Sequence, residues 1–223
     1  MRGFFNKLYS LYDLVLIHCD MALSTTRTYS SGWLQGCRMG RNLRTTGPVR
    51  IKARASGSIV IGNDVRLLAG WRSNRVGLSG PVILHTWEGG RIEIGDHTGA
   101  SATVVSSRSG IRIGEHCNIG GNVRIFDHDF HSLDANIRRG PRGCADCATK
   151  PVYIGDDVFI GTGSIILKGV TIGDRAVIGA GSVVTRDIPP DCIAAGNPAV
   201  VLRSSAKTGP TRPESSPSKT LED

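Results

Sequence analysis

Aliphatic residues recur at every sixth position over residues 154–189, which read IGDDVF, IGTGSI, ILKGVT, IGDRAV, IGAGSV and VTRDIP. Each hexad begins with isoleucine or valine, four continue with glycine, and the fifth position is small or aliphatic. A helix would repeat at 3.6 residues and a simple strand at 2, so neither explains this spacing. A period of six is typical of a parallel β-helix, in which three hexads form one triangular coil. We expect the first residue of each hexad to point inward, and the glycine to allow a tight corner with a positive φ.

Less regular hexads extend the pattern upstream. An isoleucine precedes a glycine at Ile61, Ile94, Ile113, Ile154 and Ile172, with separations of 33, 19, 41 and 18 residues. The 18 is one coil, and the 19 is one coil with one extra residue. We interpret the 33, three short of two coils, as irregular coils or a cut corner. The 41 is one coil plus 23 residues or two coils plus five.

The hexads stop after Ile125 and restart at Ile154, which favours one coil with a long inserted loop at 126–150. The loop opens with FDHDFHSLD, a stretch of histidines, aspartates and phenylalanines. A long loop inside a repeat is usually functional. We expect it to carry a movable side chain at the edge of a groove between neighbouring prisms, and three prisms side by side would give three equal grooves.

The predicted fold class is therefore an all-β solenoid, a parallel β-helix with a short N-terminal helix. We expect a helical segment at 1–30, the β-helix at 31–203 and a disordered tail at 204–223 that is rich in serine, proline and lysine. The N-terminal segment has apolar residues at helical spacing but is too polar to span a bilayer. It either packs on the body or a partner, or lies on a membrane surface.

Composition agrees with a narrow prism, since aromatic residues make up only 5% of the chain and glycines number 29. The net charge of +8 lies before the tail and is compatible with a nucleic acid, an anionic membrane or a phosphorylated ligand. No basic block interleaved with aromatics points to nucleic acid, so we expect none as a partner.

The six cysteines have no accompanying secretory signal, and reduced thiols in a cytoplasmic protein are expected. Cys144 and Cys147 have the spacing of half a zinc site. Because no second pair exists, we interpret them as a pair of loop thiols.

The run from Val152 to Arg203, and above all its ending IPPDCIAAGNPAVVLR, resembles the C-terminal half of hexapeptide-repeat O-acetyltransferases. This family includes galactoside and maltose acetyltransferases and enzymes that acetylate lipopolysaccharide and exopolysaccharide sugars. The resemblance covers roughly residues 90–203. It implies a left-handed β-helix, a homotrimer with active sites between subunits, acetyl-CoA as acyl donor, and no metal.

The resemblance also implies a histidine general base in the loop, and the position that matches is His128. The chemistry supports this role, because a sugar hydroxyl attacks a thioester poorly until an imidazole takes its proton. Histidine suits the task, since its ordinary pKa of ~6.5 leaves it largely neutral at pH 7. No acyl-enzyme is required, so no serine or cysteine nucleophile is expected.

Other residues of the opening motif have two interpretations each. Asp127 and Asp129 flank the base, and either one holds its second nitrogen or is an ordinary turn aspartate. His131 binds the acceptor, orients the loop or packs it. Phe126 and Phe130 are expected to anchor the loop on the prism.

The family's CoA-binding pattern matches six positions: Thr162, Lys168, Ala180, Thr185, Arg186 and Arg203. Backbone groups near Ala180 would bond the pantetheine amides, and the basic residues would meet the CoA phosphates. The chain departs from the galactoside enzymes at Val200, where they have a basic residue. Ala100 and Arg108 also stand where those enzymes have acceptor-binding Asn and Asp, so no galactoside acceptor is expected.

Two alternatives remain at this point. A γ-type carbonic anhydrase shares the fold but needs three histidine ligands, including an H-x-x-x-x-H pair that this sequence lacks. A non-catalytic β-helix scaffold would have intact hexads without a polar loop. The sequence therefore predicts a cytoplasmic O-acetyltransferase acting on a sugar or glycan precursor, with weak association with the inner-membrane surface as an open alternative.

Overall fold

The computed structural model describes residues 2–70, 76–141, 144 and 146–204, with side chains from Tyr12 onward. Helix α1 spans Arg2–Leu34 and the short helix α2 spans Ala135–Arg139. The last described strand ends at Ser204, so the rest of the predicted tail lies outside the described residues.

Strands in the described ranges form three sheets of short strands, which are the three faces of a prism. Sheet 1 contains β1 (Arg38–Met39), β4 (Ile59–Ile61), β7 (Ile92–Ile94), β10 (Ile111–Ile113), β13 (Val152–Ile154) and β16 (Thr171–Ile172). Sheet 2 contains β2 (Arg44–Thr46), β5 (Arg66–Leu68), β8 (Gly99–Ser101), β11 (Asn118–Ile119), β14 (Phe159–Ile160), β17 (Val177–Ile178), β19 (Cys192–Gly196) and β20 (Ala199–Ser204). Sheet 3 contains β3 (Val49–Lys52), β6 (Val82–Thr86), β9 (Val104–Ser107), β12 (Arg124–Phe126), β15 (Ile165–Ile166) and β18 (Val183–Val184).

Neighbouring strands of each sheet pair in parallel, one coil apart, except for the antiparallel pair β19–β20 that closes the solenoid. The register joins Ile94 to Ile113, Ile113 to Ile154 and Ile154 to Ile172. The separations of 19, 41 and 18 are therefore each one coil, which confirms the inserted loop after β12. The first residues of the six regular hexads are buried as predicted: Ile154, Ile160, Ile166, Ile172, Ile178 and Val184.

The interpretation of the 33-residue separation was wrong. Ile61 pairs directly with Ile94, so this separation is one coil of 18 with 15 inserted residues. The insertion lies between β5 and β6, and its described end is held on the prism by Asn122. The Asn122 amide donates to the carbonyl of Gly77, and its oxygen accepts from the backbone N–H of Ser79. The prism thus carries two loops rather than one.

The expected positive φ at the second hexad position was also wrong. Positive φ angles lie at the fourth position instead: Asp157, Gly163, Gly169, Arg175 and Gly181. Glycine at the second position is needed because the next coil passes too close for a side chain. A Cβ on Gly161 would lie 2.4 Å from the nitrogen of Ala180, and one on Gly155 would lie 2.1 Å from Oδ1 of Asp174.

The C-terminal half of α1 packs on the first coil. Ser24 Oγ lies 2.7 Å from Thr45 Oγ1, and the Tyr29 hydroxyl donates to the carbonyl of Gly40 at 2.8 Å. Further toward the N-terminus, Tyr12 and Val15 are more than half exposed. Within the described residues, no helix has the length and apolar character to cross a bilayer.

Candidate active site

The long loop leaves the prism at the corner that follows β12, and its two ends are held together there. His128 forms an antiparallel bridge with Thr149, and the N–H of Lys150 donates to the carbonyl of Asp127 at 2.8 Å. The residues at the loop entrance are therefore continuous with the rigid coil, although the loop itself projects from it.

Asp127 is fully buried at this corner, where the preceding coil turns around its carboxylate. Backbone N–H groups of Arg108, Ser109 and Gly110 donate to it at 2.7–2.8 Å, and the Ser107 hydroxyl donates at 2.7 Å. Burial alone would raise the pKa of Asp127. The hydrogen bonds from His128 and from these donors outweigh it and hold the pKa well below the ordinary range. Asp127 is thus a fixed negative charge.

The imidazole of His128 is held by that charge. Its Nδ1 lies 2.9 Å from Asp127 Oδ1, so Nδ1 carries the proton when the ring is neutral, and Nε2 is the basic atom. Nε2 is buried and has no hydrogen-bond partner among the described residues. The ring of Phe130 lies 4.6 Å from the imidazole and that of Trp87 lies 6.3 Å from it.

The expectation of a movable base at a groove edge differs from this arrangement. The His128 side chain is 0% exposed in the single chain and is anchored by Asp127. The mobile part of the site is instead the loop beyond it, where Phe130 is 46% exposed. The physical reason is that the loop leaves the prism only after His128.

The two flanking aspartates have separate positions. Asp127 occupies the place beside the second imidazole nitrogen, whereas Asp129 Oδ1 lies 2.5 Å from Lys168 Nζ. Phe126 and Phe130 contact each other edge to face at 5.0 Å. His131 is exposed.

The residues predicted to bind CoA lie at several places on the prism. Thr162 and Ala180 are at the corner between sheets 2 and 3, whereas Lys168, Thr185 and Arg186 are at the corner between sheets 3 and 1. Arg203 is exposed on β20. Lys168 joins the loop through Asp129, but a single chain does not gather the six positions into one site.

Sequence analysis missed a cluster next to the imidazole. The guanidinium carbon of Arg108 lies 4.6 Å from the centre of the Trp87 ring, which in turn lies 4.6 Å from the ring of His85. The sequence singled out Arg108 only as a departure from the galactoside enzymes. Correct alignment of the coils at β6 and β9 would have found the others, but the 33-residue separation concealed that register.

The second loop was missed for the same reason. A Cβ on Gly121 would lie 2.9 Å from Leu78 and 3.0 Å from Val76, with Thr162 at 3.9 Å. The described end of this loop therefore borders the corner that carries Thr162.

The expectation of a reduced thiol pair in the long loop is corrected. Cys144 and Cys147 form a disulfide in this structure, with their Cα atoms 4.9 Å apart. In the described part of the chain, no group of three or more His, Cys, Asp or Glu residues is arranged to hold a metal ion.

Comparison with protein families and structures identifies the repeat. Residues 110–125 and 151–186 match the family model described as the hexapeptide repeat of succinyl-transferase. The two matched segments flank the long loop.

A solved structure of a hexapeptide-repeat-containing acetyltransferase from Vibrio cholerae is 30% identical to this chain. The match covers 82% of each chain with a TM-score of 0.56. The structure of the same protein complexed with acetyl-CoA matches at 40% identity, with a TM-score of 0.50, over 57% of this chain and 66% of that one.

Two curated relatives extend the comparison. Protein CapG of Staphylococcus aureus is 38% identical over 66% of this chain and 66% of its own length. The polysialic acid O-acetyltransferase of Escherichia coli is 39% identical over 52% of this chain and 37% of its own length. The matched region thus spans less than two thirds of either relative. With the three parallel sheets, these matches confirm the predicted left-handed β-helix. The chain belongs to the hexapeptide-repeat acetyltransferase family.

Proposed function

We propose that this protein transfers an acetyl group from acetyl-CoA to a hydroxyl of a sugar or glycan precursor, with His128 as general base. The observation that carries the proposal is the state of the imidazole, whose Nδ1 is held by Asp127 while Nε2 is buried and unpartnered within the described residues. An acceptor hydroxyl would supply the missing partner. The acetyl-CoA complex of the Vibrio relative and the acceptor named for the Escherichia coli relative support the donor and the substrate class.

The reaction proceeds in two proton transfers around one bond exchange. His128 Nε2 takes the hydroxyl proton as the oxygen attacks the thioester carbonyl carbon, which gives a tetrahedral oxyanion. The oxyanion collapses, the carbon–sulfur bond breaks, and the departing thiolate receives the proton from the imidazolium. The products are an acetyl ester and free CoA. The negative charge of Asp127 stabilises the imidazolium between the two transfers.

The CoA and subunit arrangement form part of the same proposal. We assign the pantetheine to the corner of Thr162 and Ala180, and the phosphates to Arg186 and Arg203, with Thr185 beside them. Because these positions lie on different corners of one chain, a groove between two copies is needed to join them, and a homotrimer provides three such grooves. The Asp129–Lys168 pair fixes the loop at the groove rather than binding phosphate.

The exposed apolar residues at the N-terminal end of α1 are assigned to weak contact with a membrane surface from the cytoplasmic side. Sedimentation with anionic vesicles measures this contact. Removal of residues 1–19 should abolish it, and equal sedimentation of both proteins would contradict it.

The function is tested by thiol release from acetyl-CoA in the presence of a panel of monosaccharides and glycan fragments, with the products identified by mass spectrometry. We expect acceptor-dependent thiol release and an acetyl ester on a sugar hydroxyl. CoA binding without any acetylated acceptor would contradict the enzymatic proposal and favour a non-catalytic role.

A further inference from the structure

Three basic side chains and one indole lie together beside the imidazole of His128. Lys52 on β3 and His85 on β6 are register neighbours in sheet 3. Trp87 follows β6, and Arg108 follows β9 one coil later. The cluster borders the base on the side of the earlier coils, whereas Lys168 lies on the side of the later ones.

The electrostatic potential of this cluster is positive. Burial lowers the pKa of His85, and the charges of Lys52, His128 and Arg108 lower it further. The carboxylate of Asp127 is near, but backbone N–H groups, hydroxyls and the imidazole occupy it. Within the described part of the chain, neither Lys52 nor Arg108 joins an ion pair.

The guanidinium of Arg108 is positioned without being satisfied. It lies over the Trp87 ring, a cation–π contact that restricts its orientation. Its Nε is buried, and it has no hydrogen-bond partner in the described residues. A buried N–H without an acceptor is costly, so a ligand oxygen at this place would be bound favourably.

We infer that Arg108, with Lys52 and His85, binds an anionic group of the acceptor, so that the acceptor is a sugar bearing a carboxylate or a phosphate. The inference rests on the proposed function, because it describes the acceptor side of the same site. The planar guanidinium pairs bidentately with either anion. Holding the anion there presents a hydroxyl of the same sugar to Nε2 of His128, since both unpartnered nitrogens belong to one cluster.

Three probes that differ only at one position test this: methyl glucoside, methyl glucuronide and methyl glucoside 6-phosphate. Transfer is followed by thiol release from acetyl-CoA. Binding is followed independently by Trp87 fluorescence in the full chain with Trp33→Phe and Trp71→Phe, with CoA present. We expect one or both charged probes to exceed the neutral one by about tenfold or more in affinity and in kcat/KM. Which charged probe is preferred identifies the anion.

Arg108→Gln should remove this preference, lowering kcat/KM and affinity for the charged probe about tenfold or more while changing those for the neutral probe less than about twofold. Arg108→Lys should keep part of the preference because it keeps the charge. The matched control is Arg112→Gln, an exposed arginine of the same coil on β10, which should keep the preference in full.

Equal responses to the three probes, including no response to any of them, would overturn the inference. A preference that survives Arg108→Gln would also overturn it. So would a selective loss of CoA affinity in Arg108→Gln, because that places the arginine on the donor. Failure of the proposed function is a different result, namely that the wild-type chain neither binds CoA nor releases thiol.

Discussion

At the scale of single residues, the site depends on a carboxylate that the coil itself surrounds. Asp127 is buried, yet it is held charged by backbone N–H groups and a hydroxyl of the preceding coil as well as by His128. Such an arrangement serves stability and orientation together, because the same hydrogen bonds that stabilise the corner fix the imidazole.

Asp127→Asn should lower the free energy of unfolding by about 2–4 kcal/mol at pH 7, since it replaces a charged acceptor among donors that need one. The pKa of Asp127 is lower in the folded chain than in the unfolded chain. Its stabilising effect is therefore complete above pH ~4 and is lost as the pH falls below that value.

Denaturant unfolding at a series of pH values measures this effect. The difference between wild type and Asp127→Asn should shrink below pH ~4. The control Asp187→Asn alters an exposed carboxylate and should cost less than about 1 kcal/mol at every pH. A difference for Asp127→Asn that stays constant from pH 7 to pH 3 would disprove the charged state.

At the scale of elements, the coils are held at a spacing that leaves no room for side chains at the second hexad position. Gly161 approaches the backbone of the next coil, where a Cβ would lie 2.4 Å from a nitrogen atom. The small second residue is thus a packing requirement between strands β14 and β17 rather than a turn requirement.

Gly161→Ala should lower the free energy of unfolding by about 1–3 kcal/mol, because the coils must separate to admit the methyl group. Thermal unfolding measures the loss. Gly80→Ala is the matched control, since a Cβ there meets nothing within 4 Å, and it should change stability by no more than about 0.5 kcal/mol. Equal effects of the two substitutions would show that coil spacing is not the cause.

The elements also show what a single sequence can and cannot predict. The regular hexads from Ile154 specify the fold, because each inward residue repeats the same local choice. The insertion before Ile94 was hidden, since 33 residues is close to the length of two coils. The burial of His128 and its contact with Trp87 were not predictable, because they depend on the register of coils two turns apart.

At the scale of the whole molecule, one chain supplies the base but distributes the proposed donor residues over different corners of the prism. His128 lies at the corner after β12, whereas Thr162 lies at the corner after β14. Neighbouring copies side by side would bring two such corners to one groove, so the assembly is part of the proposed site.

Light scattering on the purified protein should give three times the chain mass of 23.7 kDa. The trimer should persist at the concentrations used for assay, because the site is incomplete without a neighbour. A monomer that retains full acetyl transfer would contradict the shared groove.

The central claim is that His128 Nε2 accepts the acceptor proton, and His128→Ala tests it most directly. With a confirmed acceptor, we expect kcat for acetyl transfer to fall about 10²–10⁴-fold while CoA affinity is preserved. His18→Ala, a change to an exposed histidine on α1, should leave kcat unchanged. If His128→Ala turns over within a few fold of wild type, His128 is not the base, and the account of the site is wrong.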